Sequence, residues 1–117
     1  MANTFKTVTK AGVTSLDVIY TVASSTTTVV LGLMLGNTTT SQVTATVTLS
    51  SNTASRTDSS INSGANADVE LVTNAPIPAG SSLEMLAGNK VVMETTDLLK
   101  VTGSGATDVC LSIMEIT

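Results

Sequence analysis

The chain contains no histidine and no tryptophan, one cysteine (Cys110), and two aromatic residues, Phe5 and Tyr20. Without histidine there is no ordinary general base, no Ser-His-acid or Cys-His pair, and the commonest transition-metal ligand is missing. One cysteine can neither close an internal disulfide nor build a zinc site. In the apolar run Val109-Cys110-Leu111 it reads as a buried, inert thiol. The basic residues Lys6, Lys10, Arg56, Lys90 and Lys100 are scattered. With no basic patch to neutralise phosphates and few aromatics to stack on bases, nucleic acid is not an expected partner. The longest nearly apolar run, Val29 to Gly36, falls far short of the roughly 20 residues a spanning helix needs, so no membrane segment is expected. Met1 to Lys6 has no signal-peptide architecture, so the product is expected to stay in a cytoplasm or leave by a route other than secretion. Asn37-Thr38-Thr39 matches a glycosylation sequon, but is expected to go unused without a secretory signal.

Charge is scarce too, at 12% of residues against about 25% in ordinary domains, with a net charge of −4. Hydroxyls supply the missing polarity: 22 Thr and 14 Ser among 117 residues. Threonine is β-branched and suits a pleated, half-exposed surface. A face of threonines is wettable, yet a partner can cover it at lower desolvation cost than a face of lysine and glutamate. The 42% hydrophobic content argues against disorder, and the length suits one domain.

Gln42 to Ser51 carries the clearest local signal. Val43, Ala45, Val47 and Leu49 alternate with Thr44, Thr46, Thr48 and Ser50, so the apolar side chains share one sheet face and the hydroxyls the other. Leu16 to Val22 alternates in the same way. Thr26 to Leu35 is apolar on both faces and reads as a central strand covered on both sides, with Gly32 marking a bulge or close backbone approach. Phe5 to Thr9 is an edge strand or part of an extended N-terminal arm, residues 1–10. A long polar loop spans 52–66. Beyond it, Ala67 to Asn74 reads as a strand broken by Ala75-Pro76-Ile77-Pro78. Short strands follow at Ser82 to Leu86, Val91 to Glu94, Leu98 to Thr102 and Asp108 to Ile116. About eight short strands separated by turn signals, without a helical period, predict an all-β, antiparallel, jelly-roll-like β-sandwich in a single domain, 1–117.

The carboxylates show no catalytic or metal-binding pattern. Asp68 and Glu70 share a strand, and Glu94 and Asp97 flank a turn, but neither pair forms a dense calcium loop. Glycoside hydrolysis needs two facing carboxylates in a cleft, usually beside aromatic platforms. Gly103-Ser104-Gly105 lacks the lysine and helix of a phosphate loop and reads as a β-turn. No enzyme activity, cofactor or metal is expected.

The stretch Ala75 to Val101 runs Pro-Ala-Gly, a hydrophobic strand, a Gly-Asn-Lys turn, the apolar Val91-Val92-Met93, and Asp97 ahead of Leu98-Leu99-Lys100-Val101. It resembles small virion structural proteins of tailed phages, especially those of marine and cyanobacterial hosts. The opening Met-Ala-Asn-Thr-Phe-Lys and the closing Ser-Ile-Met-Glu-Ile fit the same likeness. The family often carries Gly where Thr96 stands, so the turn there is expected to differ. The resemblance implies a β-rich virion subunit, assembled in the host cytoplasm and partnered by major capsid, neck or tail proteins. A capsid decoration or cement role is favoured, with a neck, tail or baseplate component as the alternative. A carbohydrate or host-surface binding module is a lesser alternative, since aromatics are so few. Low charge predicts a homo-oligomer, a trimer or another symmetric ring. Its candidate interface residues are Phe5, Thr44, Thr46, Thr48, Ile61 and Ile77.

Overall fold

The structure, a computed structural model, describes residues 2–51, 67–85 and 90–117. The expected polar loop at 52–66, with Ile61, lies outside these residues. The described residues hold nine strands: β1 (Asn3–Val13), β2 (Leu16–Thr21), β3 (Thr27–Asn37), β4 (Val43–Ser50), β5 (Val69–Ile77), β6 (Ser82–Met85), β7 (Val91–Met93), β8 (Leu98–Gly103) and β9 (Thr107–Ile116).

They form two antiparallel sheets. Sheet A has the order β1-β9-β3-β6, with β7 also on β3, and sheet B the order β2-β8-β4-β5. β6 pairs with Leu33 to Gly36 and β7 with Thr28 to Val30, so together they fill one edge position. Nine strands thus occupy eight places. The interleaved orders are those of a double Greek key, so the expected jelly-roll sandwich is the observed fold.

The inner faces follow the sequence alternation. Val43, Ala45 and Val47 of β4 and Leu99 and Val101 of β8 face Val30, Leu33 and Leu35 of β3 and Val109, Leu111 and Ile113 of β9. Each fully buried aliphatic side chain contributes about 1.5–3 kcal/mol as an upper estimate. The core is built from aliphatic residues and Met93, with Tyr20 packed at its margin. The register of β3 against β9 slips between Val30 and Gly32, the bulge that Gly32 suggested.

Four expectations change. Of the two readings of Phe5 to Thr9 the edge strand holds and the free arm over 1–10 does not: β1 is an eleven-residue edge strand laddered to β9, continued by mutual backbone bonds between Ala2 and Thr117. β5 is not broken at Ala75. It runs on to Ile77, and Pro76 is tolerated because β5 is an edge of sheet B, where one side of the strand needs no donor. Ile77 therefore lies opposite Val43 and is 1% exposed, a core residue rather than an interface residue. Cys110 is exposed, because β9 turns Val109 and Leu111 inward and the residue between them outward.

Candidate interaction surface

Strand register assembles the outer face of sheet A. Phe5 lies opposite Met114, Met114 opposite Val29, and Val29 opposite Val92. These four apolar side chains form one row across β1, β9, β3 and β7. Phe5 is 72% exposed and Val92 58%. A second row runs Thr9, Cys110, Met34, Glu84. Met34 stands 44% exposed between two shallow grooves. One groove, of about 300 Å³, is lined by Thr9, Lys10, Ala11, Met34, Gly36, Asp108, Val109 and Cys110. The other, of about 210 Å³, is lined by Gly32, Leu33, Met34, Glu84, Met85, Cys110 and Ser112. Glycines at 32 and 36 open both grooves, since a Cβ at either would meet nothing within 4 Å. Asp108 and Glu84 bring charge to the grooves, whereas Lys10, opposite the inward Val109, turns its ammonium to Asp17 of β2 at 3.6 Å. β3 is apolar on both sides, but its outer side is not covered by any described part of the chain.

The outer face of sheet B carries the threonines. Thr46 lies opposite Thr102, which lies opposite Leu16; Thr48 lies opposite Lys100, which lies opposite Val18. Thr44, Thr46 and Thr48 are half-buried. Two of them already serve the fold. The Thr46 hydroxyl accepts the Asn74 N–H at 3.0 Å and donates to Asn74 Oδ1 at 3.4 Å. It thereby holds Asn74 at φ +48°, in the irregular stretch where β5 shifts register against β4. The Thr44 backbone exchanges bonds with the Ser104 backbone and hydroxyl, pinning the β8–β9 turn. Of the six expected interface residues, Phe5 is freely presented and the three threonines face outward on the opposite sheet. Sequence reasoning missed Met34, Val92 and Cys110. Their signal was present in the alternation of β3 and β9, which places Met34 and Cys110 opposite the core set.

A polar cluster joins the sheets at one margin. The Tyr20 hydroxyl donates to Glu115 Oε2 at 2.5 Å and lies 2.7 Å from Thr28 Oγ1, while Lys6 Nζ is 2.7 Å from Glu115 Oε1. Lys6 and Tyr20, both bonded to Glu115, hold its carboxyl below the usual carboxylate range. Burial, and then the bond to Glu115, push the Tyr20 phenol up to about 12. The three side chains tie β1, β2 and β9 together across the two sheets. Among the described residues, no group of three or more His, Cys, Asp or Glu is placed to hold a metal ion, and no helix is long and apolar enough to cross a membrane.

No protein-family model and no curated protein matches the chain. Among solved structures, the chain is similar to one described with Bacillus endospore appendages, which form a family of disulfide-linked pili. The identity is 14%, over 97% of this chain and 85% of that chain, with a TM-score of 0.47. It is also similar to a chain of the T13 IBDV viral particle, at 10% identity over 97% of this chain and 35% of that chain, with a TM-score of 0.26. Neither likeness says what this chain binds.

Proposed function

We propose that the chain is a non-catalytic structural subunit of a virion, a decoration protein that lies on the capsid and bridges neighbouring shell subunits. One observation carries the assembly reading: a four-strand row of Phe5, Met114, Val29 and Val92 on the outer face of sheet A. A monomer gains nothing from holding Phe5 and Val92 in water, whereas a partner that covers the row removes apolar area at about 25 cal/mol per Å². The low overall charge keeps the desolvation cost of such a contact small.

The virion setting rests on the resemblance of Ala75 to Val101 to phage structural proteins. The non-catalytic reading rests on chemistry: the chain has no histidine, and the two grooves offer isolated carboxylates, Asp108 in one and Glu84 in the other. A jelly roll by itself does not decide function.

Copy number in purified particles, by quantitative mass spectrometry, tests the proposal. Hundreds of copies per particle are expected of a decoration protein. A count in the single or low double figures would move the chain to the neck, tail or baseplate, and absence from particles would reject the virion setting.

A further inference from the structure

β1 is an edge of sheet A, and it is long. The mutual bonds between Ala2 and Thr117 fix the phase of its ladder with β9: even-numbered residues turn their N–H and C=O towards β9. Asn3, Phe5, Thr7 and Thr9 therefore turn theirs away from the sheet, up to the bulge that follows Lys10. Lysines often protect such an edge. Here both lysines are engaged within the chain, Lys6 by Glu115 at 2.7 Å and Lys10 by Asp17 at 3.6 Å. The other long edge strand, β5, carries Pro76 and the Asn74 irregularity.

We propose that β1 pairs antiparallel with β1 of a second copy of this chain, about a two-fold axis at Thr7, so that sheet A continues across the dimer. The inference rests on the assembly reading above and names the strand that joins copies.

The register follows from phase and charge. Matching the outward groups requires odd residues to face odd residues. Centring the pair on Lys6 or on Lys10 sets a lysine against itself, and centring it on Val8 sets Lys6 against Lys10; like charges directly opposite each other are destabilising. Centring on Thr7 avoids all three and still overlaps Asn3 to Ala11. Lys6 then faces Val8, Lys10 faces Thr4, and Phe5, Thr7 and Thr9 exchange about six hydrogen bonds with Thr9, Thr7 and Phe5 of the second copy.

The same register gives Phe5 a seat. It places Phe5 opposite Thr9 of the second copy and diagonal to Ala11 of the second copy, on the outer face. Thr9 and Ala11 line the groove of about 300 Å³ beside Met34 and Cys110. The exposed ring and the groove lie on one strand and one face, four residues apart, so a single two-fold contact fills both grooves at once. An isologous interface has this reciprocity.

Sedimentation of the full chain at about 100 μM, followed by disulfide trapping, tests the pairing. The wild type is expected to sediment as a dimer. On a Cys110→Ser background, Thr7→Cys is expected to cross-link to its own copy on mild oxidation, whereas Asn3→Cys and Thr9→Cys, which do not face themselves, are not. Thr7→Pro removes an outward N–H and leaves the β9 ladder intact, so a folded monomer is expected, with a cooperative melt whose midpoint, unlike that of the wild type, does not depend on protein concentration. Phe5→Ser, at a 72% exposed position, is expected to weaken the dimer at least tenfold without unfolding it. A monomeric wild type, a dimer that survives both Thr7→Pro and Phe5→Ser, or equal cross-linking at all three cysteine positions would overturn the proposal. A chain abundant in particles whose Thr7→Pro variant still sediments like the wild type would sink the β1 pairing and leave the structural role standing.

Discussion

The Tyr20 hydroxyl on β2 donates to Glu115 Oε2 on β9 at 2.5 Å, a bond between the two sheets made by residues 95 positions apart. The same hydroxyl lies 2.7 Å from Thr28 Oγ1, and Thr28 is fully buried. Tyr20→Phe removes the hydroxyl and leaves Thr28 without that partner, in a place water does not reach. The expected loss is about 1–3 kcal/mol, read as a lower urea midpoint at unchanged slope. An unchanged midpoint would mean that the cluster fastens nothing.

The cluster also sets a pH window. The Glu115 carboxyl is held below its ordinary value of 4.5, first by Lys6 and then by Tyr20. A lowered carboxyl stabilises the fold above that ordinary value, and the contribution is lost as pH falls through the lowered one. The Tyr20 phenol is raised from 10.0 to about 12, so its contribution is whole below pH 10 and is lost as pH rises towards 12. Melting temperature is therefore expected to fall on both limbs. Tyr20→Phe is expected to flatten the alkaline limb, and Glu115→Gln the acid limb. A variant whose limb keeps the wild-type slope would assign that limb to other groups.

Asn37, the sequon asparagine, is 3% exposed and spends its whole amide on the fold. Its Nδ2 donates to the Ser41 carbonyl at 2.8 Å and to the Ile77 carbonyl at 2.9 Å. Its Oδ1 accepts from the Thr39 N–H at 2.9 Å and the Thr39 hydroxyl at 2.8 Å. The amide ties β3 in one sheet to the end of β5 in the other. Asn37→Asp would turn a carboxylate towards two carbonyls, and is expected to cost about 3 kcal/mol or more at neutral pH. The loss should shrink as the carboxyl protonates in acid. A melting temperature within a degree of wild type would contradict this account.

Much of the sandwich is legible in the residues, because a strand with one wet face must alternate. β4 announces itself for that reason, and the inward set Val43, Ala45 and Val47 is the observed core set. β1 is harder to see. As an edge strand it buries little, so Thr, Lys and Ala serve as well as Val, and the pattern fades beyond Thr9. Ile77 misleads for a different reason. Flanked by Pro76 and Pro78 it looks like part of a crossing segment, but an edge strand tolerates proline while still turning its neighbour inward. Tyr20 and Glu115, like Thr46 and Asn74, are partners set by topology, and no local spacing encodes them.

Val47 is fully buried at the centre of β4, opposite Val101 on one side and Val72 on the other. Val47→Asp would place an unpaired carboxylate among aliphatic side chains, a change that costs more than about 4 kcal/mol. Loss of the cooperative thermal transition is the expected result. Retention of that transition at the wild-type temperature would contradict the inward register of β4.

Two glycines, Gly103 on β8 in one sheet and Gly36 on β3 in the other, give opposite expectations for the same added methyl group. At Gly103, a Cβ would stand 2.6 Å from the Val13 carbonyl oxygen and 2.9 Å from the Gly105 carbonyl oxygen, and backbone cannot step aside as a side-chain tip can. Gly103→Ala therefore forces β8 away from the end of β1 and is expected to cost about 1–3 kcal/mol. At Gly36, a Cβ would meet nothing within 4 Å, because its outward side is the floor of the groove beside Met34. Gly36→Ala is expected to leave the melting temperature unchanged or slightly raised, since alanine also restricts the unfolded chain. The bulkier Gly36→Leu should keep the fold and fill the groove, and so weaken whatever contact the groove makes. Thermal melts of Gly103→Ala and Gly36→Ala under identical conditions provide the check. Equal destabilisation by the two alanines would mean that the groove floor is closed rather than open.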